Sequence, residues 1–163
     1  MSAYRDPPPP GPIVIARDGK VIARDRSSGH ARWAVKIGDA DTKVVSDGQM
    51  RCLVEGDRVI VFGKVGTPGW MDPPAHRRAL VCLNLQDGKQ LWRIDLEESR
   101  AENGVLYGTL LLDGDTLFLD DDGEILAIDV TSGSIRWRHE SGGNGATAAA
   151  LAVDGKNAPA NVR

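Results

Sequence analysis

The residues best equipped for chemistry form an acidic run late in the sequence. Residues 120–124 read Asp-Asp-Asp-Gly-Glu, and such a run could be offered as a calcium loop. Calcium takes about six to eight oxygen ligands, commonly from a loop of about a dozen residues. Asp122-Gly123, in contrast, is a strong signal for a two-residue hairpin turn. We therefore interpret the run as a turn between two strands.

The histidines and cysteines show no spacing that favours a metal centre or a catalytic site. His30, His76 and His139 are far apart in the sequence, unlike zinc ligands. Cys52 and Cys82 are too few for a disulfide framework, and we expect both to be reduced and buried. The sequence has no nucleophile motif and no phosphate-binding glycine loop. We expect a protein that is not an enzyme and needs no cofactor or metal.

Composition and charge restrict the class of protein and its partners. The chain has 163 residues, of which 41% are hydrophobic and 26% charged, as in a globular protein of one domain. A net charge of −3 without a basic stripe argues against nucleic acid. No run approaches 18 apolar residues, so we expect no membrane partner. Residues 1–11 form a proline-rich arm without a secretory signal, which predicts a cytoplasmic protein.

One pattern of 11 residues occurs three times without gaps and points to a repeat architecture. Each copy has Asp or Asn, then glycine four residues later, then tryptophan four residues after the glycine. The repeat motif residues are Asp25, Gly29 and Trp33, then Asn84, Gly88 and Trp92, then Asp129, Gly133 and Trp137. Each copy predicts a β-hairpin whose turn ends in a glycine of positive φ.

The strands that surround the motif build a larger unit. Residues 53–62 match residues 111–119 as a strand, a tight turn and a strand. Joined to the motif, they give a four-stranded antiparallel unit, with strands near 106–112, 116–120, 124–129 and 134–139 in the last copy. Trp137 follows Trp92 by 45 residues. Four strands in such a period are typical of a β-propeller blade.

At these residues the sequence resembles the quinoprotein (PQQ-like) propeller repeat, whose blades read close to Ala-x-Asp-x-x-Thr-Gly-x-x-x-Trp. The copies depart from that pattern in having Ser28, Asp87 and Ser132 for threonine, Cys82 for alanine and Asn84 for aspartate. The resemblance implies that the tryptophans dock against neighbouring blades and serve architecture. The family includes dehydrogenases that bind quinone and calcium, and non-enzymatic scaffolds such as the outer-membrane assembly lipoprotein. The vicinal cysteines of those dehydrogenases are not visible here, so the resemblance favours a scaffold.

We predict an all-β half-propeller over residues 12–155, with blades at 12–37, 50–96 and 106–139. The first blade lacks its first strand, and residues 146–153 form a closing strand that fits the gap. Residues 156–163 are expected to be a C-terminal tail, because proline cannot donate to a ladder. Propellers typically have about four to eight blades, so three require completion. We expect a homodimer of six blades, with the first strand of each composite blade supplied by the C-terminus.

A 14-residue insertion at 64–77 is the best candidate for binding a protein partner. Trp70, Met71, His76 and Arg77 would contact an unknown partner, or the insertion would fold as a lid over its own blade. The expected function is therefore a non-catalytic scaffold for protein–protein interaction. Two alternatives stay open: a subunit that completes the propeller of a different chain, and a fragment of a quinone-dependent oxidoreductase.

Overall fold

The structure is a computed structural model that describes residues 11–38, 50–66, 77–96, 108–142 and 150–158. These residues form 13 β-strands and no helix. The strands are β1 (Ile13–Arg17), β2 (Lys20–Arg24), β3 (Ala31–Lys36), β4 (Arg51–Glu55), β5 (Arg58–Gly66), β6 (Arg77–Asn84), β7 (Gln90–Leu96), β8 (Thr109–Asp113), β9 (Thr116–Asp121), β10 (Glu124–Asp129), β11 (Ile135–Glu140), β12 (Leu151–Val153) and β13 (Lys156–Ala158).

The strands form three antiparallel sheets and one separate hairpin. The first blade has the order β1-β2-β3, the second β4-β5-β6-β7 and the third β8-β9-β10-β11. The terminal hairpin pairs β12 with β13. Each blade is a meander because strands that follow one another in the chain are neighbours in the sheet. The predicted all-β fold of antiparallel propeller blades is confirmed.

The repeat places each tryptophan at the same point of its blade. Ala23 lies opposite Trp33, and Cys82 lies opposite Trp92. The third blade pairs Ala127 with Trp137 in the same way. A register shift follows each of these pairs, so the residue just before each tryptophan is left without a partner across the ladder, as in a β-bulge.

The blades pack face to face through two apolar layers. Val21 of the first blade packs with Val59, Val61 and Val81 of the second. The opposite face of the second blade packs on the third, through side chains that include Ile60, Phe62, Leu80, Leu117, Leu119 and Leu126. Strands β5 and β6 are thus buried on both faces. Apolar residues at consecutive positions are the sequence signature of strands covered on both sides.

The two cysteines differ in their surroundings. Both are free thiols, but Cys82 is fully buried on β6, whereas Cys52 is exposed on β4. The prediction that both are buried is therefore wrong for Cys52. Strand β4 is the edge strand of its sheet. Its side chains alternate between two faces, so that Leu53 packs against the core while Cys52 and Val54 are exposed on the opposite face.

The segment after the predicted closing strand is not a tail in the structure. Val153 pairs with Lys156, and residues 156–158 form β13. A tight turn at Asp154-Gly155 joins the strands, with Gly155 at φ 76°. The prediction of a tail is therefore wrong for residues 156–158. Proline cannot donate a backbone hydrogen bond, but Pro159 comes after the last residue of β13, so the ladder of β13 keeps all its donors. The ladder edge of β12 that was predicted to pair with another copy is therefore occupied by β13.

Candidate functional site

The junction between the first and second blades depends on Trp33. Its indole Nε1 donates a hydrogen bond to the carbonyl oxygen of Leu85, at 2.8 Å. Its ring lies against the turn of the second blade: a Cβ built on Gly88 would lie 2.7 Å from the ring carbon Cε3. Gly88 has φ 73°. Only glycine satisfies both the close approach of the ring and the left-handed backbone.

The junction between the second and third blades has the same geometry. Trp92 Nε1 donates to the carbonyl oxygen of Val130, at 2.9 Å. A Cβ on Gly133 would lie 2.7 Å from Cδ2 of Trp92, and Gly133 has φ 75°. The motif glycine and the motif tryptophan therefore meet across blades, never within one. The first and second blades each present a tryptophan to the next blade, and the second and third each present a glycine turn to the previous one.

The motif Asp or Asn holds the glycine turn in shape. Asp129 Oδ1 accepts hydrogen bonds from the backbone N–H groups of Thr131 and Ser132, at 3.0 and 2.9 Å. The unpaired residue before the tryptophan, Arg136, binds the other carboxylate oxygen at 2.7 Å. This guanidinium and the turn donors hold the pKa of Asp129 far below its usual range. The β-bulge is what turns Arg136 back towards the carboxylate.

The first blade repeats this arrangement, but the second replaces both members. Asp25 accepts from the turn N–H groups and pairs with Arg32 at 2.7 Å. The Arg32 guanidinium lowers the pKa of Asp25 in the same way. In the second blade Asn84 accepts from the backbone of Gln86, and Leu91 stands where the other blades have arginine. The second blade therefore lacks both the carboxylate and the guanidinium of this ion pair.

A buried ion pair joins the second and third blades. Arg78 Nε on β6 lies 3.2 Å from Asp121 Oδ2, and its Nη1 lies 3.5 Å from Asp122 Oδ2. Burial raises the pKa of Asp121 to about 6, against the opposing effect of the Arg78 charge. Asp122 and Gly123 form the turn between β9 and β10, at φ 53° and 82°. The interpretation of the acidic run as a hairpin turn is confirmed, but its ion pair with Arg78 was not foreseen.

The outer face of the first blade is apolar and surrounded by positive charge. Ile13 and Ile15 are 48% and 39% exposed. An open depression of about 570 Å³ covers this face. It is lined by Ile15, Arg17, Asp18, Lys20, Ile22, Arg24 and Lys36. Large apolar side chains next to one another on a sheet face are typical of a surface that binds another protein.

The outer face of the third blade carries the third motif tryptophan. Trp137 is 40% exposed, whereas Trp92 is 9% exposed. Its ring contacts Phe118 and His139 of its own blade, with centroids 6.0 and 5.4 Å away. Within the described residues its Nε1 has no acceptor of the kind that Leu85 and Val130 provide. The third blade thus presents a motif tryptophan that has no receiving turn in the described part of the chain.

A family model for the outer membrane protein assembly factor BamB, PQQ_2, matches residues 17–161. The chain belongs to this PQQ-like propeller family. It is also similar to the solved structure of BamB from Moraxella catarrhalis, with 26% identity and a TM-score of 0.52. The match covers 78% of this chain but 32% of BamB, so the chain spans about a third of that relative's length. None of the curated proteins matches the chain significantly.

The match to the BamB family overturns the predicted location. An outer membrane protein assembly factor is not a cytoplasmic protein, so the prediction of a cytoplasmic location is wrong. That prediction depended on an absence, the lack of an apolar leader in residues 1–11, and an absence does not fix a compartment. In the described ranges no helix is long and apolar enough to span a bilayer.

The insertion predicted to bind a partner is largely outside the described residues of this BamB-like chain. Trp70, Met71 and His76 lie outside them. Arg77 begins β6, is exposed, and lies opposite Gly66 at the end of β5. In the part of the chain that the structure describes, no three His, Cys, Asp or Glu residues are grouped so as to hold a metal ion.

Proposed function

We propose that this BamB-like chain is a non-catalytic scaffold that binds proteins, and that two copies join to complete a six-bladed ring. The family of an assembly factor favours a protein-binding role over catalysis. By extension from the family description, the partner is a protein handled during outer membrane assembly.

The observation that carries the proposal is the pair of uncovered outer faces. The first blade exposes Ile13 and Ile15, and the third exposes Trp137. The second blade, which has a neighbour on each face, buries the residues at the corresponding positions, Val59 and Trp92. Burial of apolar surface contributes roughly 25 cal/mol per Å². Blade faces of this kind are therefore favoured to pack on further blades.

Mass in solution tests the pairing. Light scattering of the purified chain at micromolar concentration should give about twice the mass of the chain, which is 17.5 kDa. A soluble monomer would contradict homodimerisation. It would favour the alternative that a different chain supplies the remaining blades.

The insertion is the second proposed contact surface of the scaffold. Of its predicted contact residues the structure describes Arg77, which begins β6 and lies opposite Gly66 at the end of β5. A pull-down should compare the intact chain with one in which an Asp-Gly turn replaces residues 65–76. Loss of the partner with unchanged folding would support a binding loop, whereas loss of folding would identify a lid.

A further inference from the structure

We propose that the two blade junctions carry different and mutually exclusive contacts, which determine which blade packs on which. Phe62 and Arg78 on the second blade, with Gly108 and Asp121 on the third, form the pairing code of the second junction. The inference concerns packing within one chain, so it does not depend on the proposed homodimer.

The tryptophan contacts do not distinguish one junction from the other. Trp33 and Trp92 donate to carbonyl oxygens at 2.8 and 2.9 Å. They lie against glycine turns of nearly the same backbone, with φ 73° at Gly88 and 75° at Gly133. Either tryptophan therefore fits either turn. Misassembly is a characteristic failure of repeat proteins, so a chain with interchangeable contacts needs a further feature that fixes the order of its blades.

The buried ion pair at the second junction has an uncharged counterpart on the first blade. Arg78 precedes Trp92 by as many residues as Gly19 precedes Trp33. Both positions lie at the end of the blade opposite the motif turn. Gly19 therefore holds on the first blade the place that Arg78 holds on the second.

The partner of Arg78 has an uncharged counterpart as well. Asp121 corresponds to Gly63 of the second blade, because each follows the glycine turn between the first two strands of its blade by the same number of residues. Arg78 and Asp121 are each 5% exposed. A first blade packed on the third would place Gly19 beside Asp121 and bury that carboxylate without a guanidinium. Such burial is strongly unfavourable.

Side-chain size distinguishes the junctions independently of charge. A Cβ on Gly108 would overlap the ring of Phe62, so at the second junction a large residue of the earlier blade lies on a glycine of the later one. The first junction reverses this arrangement. Met50 holds there the place of Gly108, and Ala16 holds that of Phe62. Both Met50 and Ala16 pack against the apolar layer of the first junction.

Met50 also contacts both glycines that replace the ion pair. The Gly19 N–H donates to Met50 Sδ at 3.3 Å, and a Cβ on Gly63 would lie 2.9 Å from Met50 Cγ. A second blade packed on the second blade of another chain would bring Phe62 against Met50. It would also place Arg78 beside Gly63 instead of a carboxylate. Wrong pairings thus fail in both size and charge.

Neutralising the ion pair tests the charge half of the code. Arg78→Met with Asp121→Val replaces the pair by apolar side chains, a change that often leaves stability unchanged. We expect this double variant to unfold in urea close to the wild type. On refolding, however, its fraction of misassembled species should rise about threefold or more. Sedimentation after dilution from urea counts as misassembled every species larger than the wild-type assembly, whatever the mass of that assembly.

The matched control removes an ion pair within one blade. Arg138→Gln with Glu124→Gln breaks an exposed pair of the third blade, whose atoms are 3.8 Å apart, and should leave the refolded fraction unchanged. A neutral Arg78–Asp121 variant that refolds with as few larger species as the wild type would overturn the code. So would one that does not fold, because the pair would then serve stability and not pairing.

Exchanging the large side chain between blades tests the size half. Gly108→Met overlaps the ring of Phe62, and Phe62→Ala leaves a cavity, so each single variant should refold with more of the larger species. The double variant copies the arrangement of Ala16 and Met50 at the first junction and should refold better than either single variant. A double variant no better than the single ones would overturn the code.

Discussion

One side-chain oxygen of the motif Asp or Asn holds each motif turn. That oxygen belongs to a carboxylate where arginine precedes the tryptophan, and to a neutral amide where leucine precedes it. Asp129 has Arg136 as its partner, whereas Asn84 faces Leu91. An amide oxygen accepts from the turn backbone as a carboxylate does. The sequence pattern identified the turn residues correctly as a group. It did not predict that Asp and Arg are replaced together, because the residue before the tryptophan reaches the turn only through the β-bulge.

This exchange predicts that Asp129 and Arg136 are thermodynamically coupled. Asp129→Asn and Arg136→Leu should each lower the melting temperature, since Asp129→Asn removes one of the two carboxylates that pair with Arg136, and Arg136→Leu removes the guanidinium that pairs with Asp129. The double variant reproduces the second blade and should melt above the value expected from adding the two single changes. Differential scanning calorimetry at low salt measures the coupling, and strictly additive changes would contradict it.

Trp92 should carry much of the stability of the second junction. Trp92→Ala removes a buried ring and its hydrogen bond to Val130, and should cost roughly 3–5 kcal/mol of unfolding free energy. Leu91→Ala is the matched control, because Leu91 precedes it on β7 and is 46% exposed. Urea unfolding of both variants makes the comparison. Equal losses would show that the docking contact adds nothing beyond a surface side chain.

At the scale of elements, the repeat explains what could be predicted. Strands β8 to β11 lie within a few residues of the predicted strands because motif Asp, Gly and Trp mark the turn and its flanking strands. Contacts between blades were harder to foresee. Arg78 and Asp121 are distant in sequence, and nothing in a single chain indicates that a basic residue on β6 meets a carboxylate on β9. The sequence does not predict β13 because Pro159 interrupts the apolar pattern, although it lies just beyond the last residue of that strand.

The pair between Arg78 and Asp121 predicts how stability depends on pH. The pKa of Asp121 is raised to about 6 in the folded chain from an ordinary value of 3.8. Between these values the folded chain holds a proton that the unfolded chain has lost. The unfolding free energy from this group therefore falls as pH rises from about 4 to about 6.

Asp121→Asn removes that titration and gives the measurement. The difference in unfolding free energy, wild type minus variant, should decrease between pH 4 and pH 6.5 in urea titrations. Asp57→Asn serves as the control, since Asp57 is an exposed turn residue. A difference that rises with pH would mean that the Arg78 charge outweighs burial at Asp121.

At the scale of the whole molecule, the sequence predicted the three blades but not the pairing of the closing strand. The described part of the first blade has three strands, and the terminal hairpin already lies beside the third blade. In the proposed homodimer, β12 of one copy would pair with β1 of the second copy. For this to happen, β1 of the second copy must displace β13 from β12. Each ring would then contain two such exchanges, and we expect the total interface to exceed about 2,000 Å², as in obligate dimers.

Two truncations decide between exchange and simple docking. Removing residues 154–163 deletes β13 and frees β12, so a ring closed by strand exchange should dimerise more tightly than the full chain. Removing residues 146–163 also deletes β12, and the uncovered edge of β1 should then give monomers that aggregate. Light scattering across a concentration series measures both. A weaker dimer after the shorter truncation would show that β13 itself supports the ring, and that β12 does not pair with β1 of the second copy.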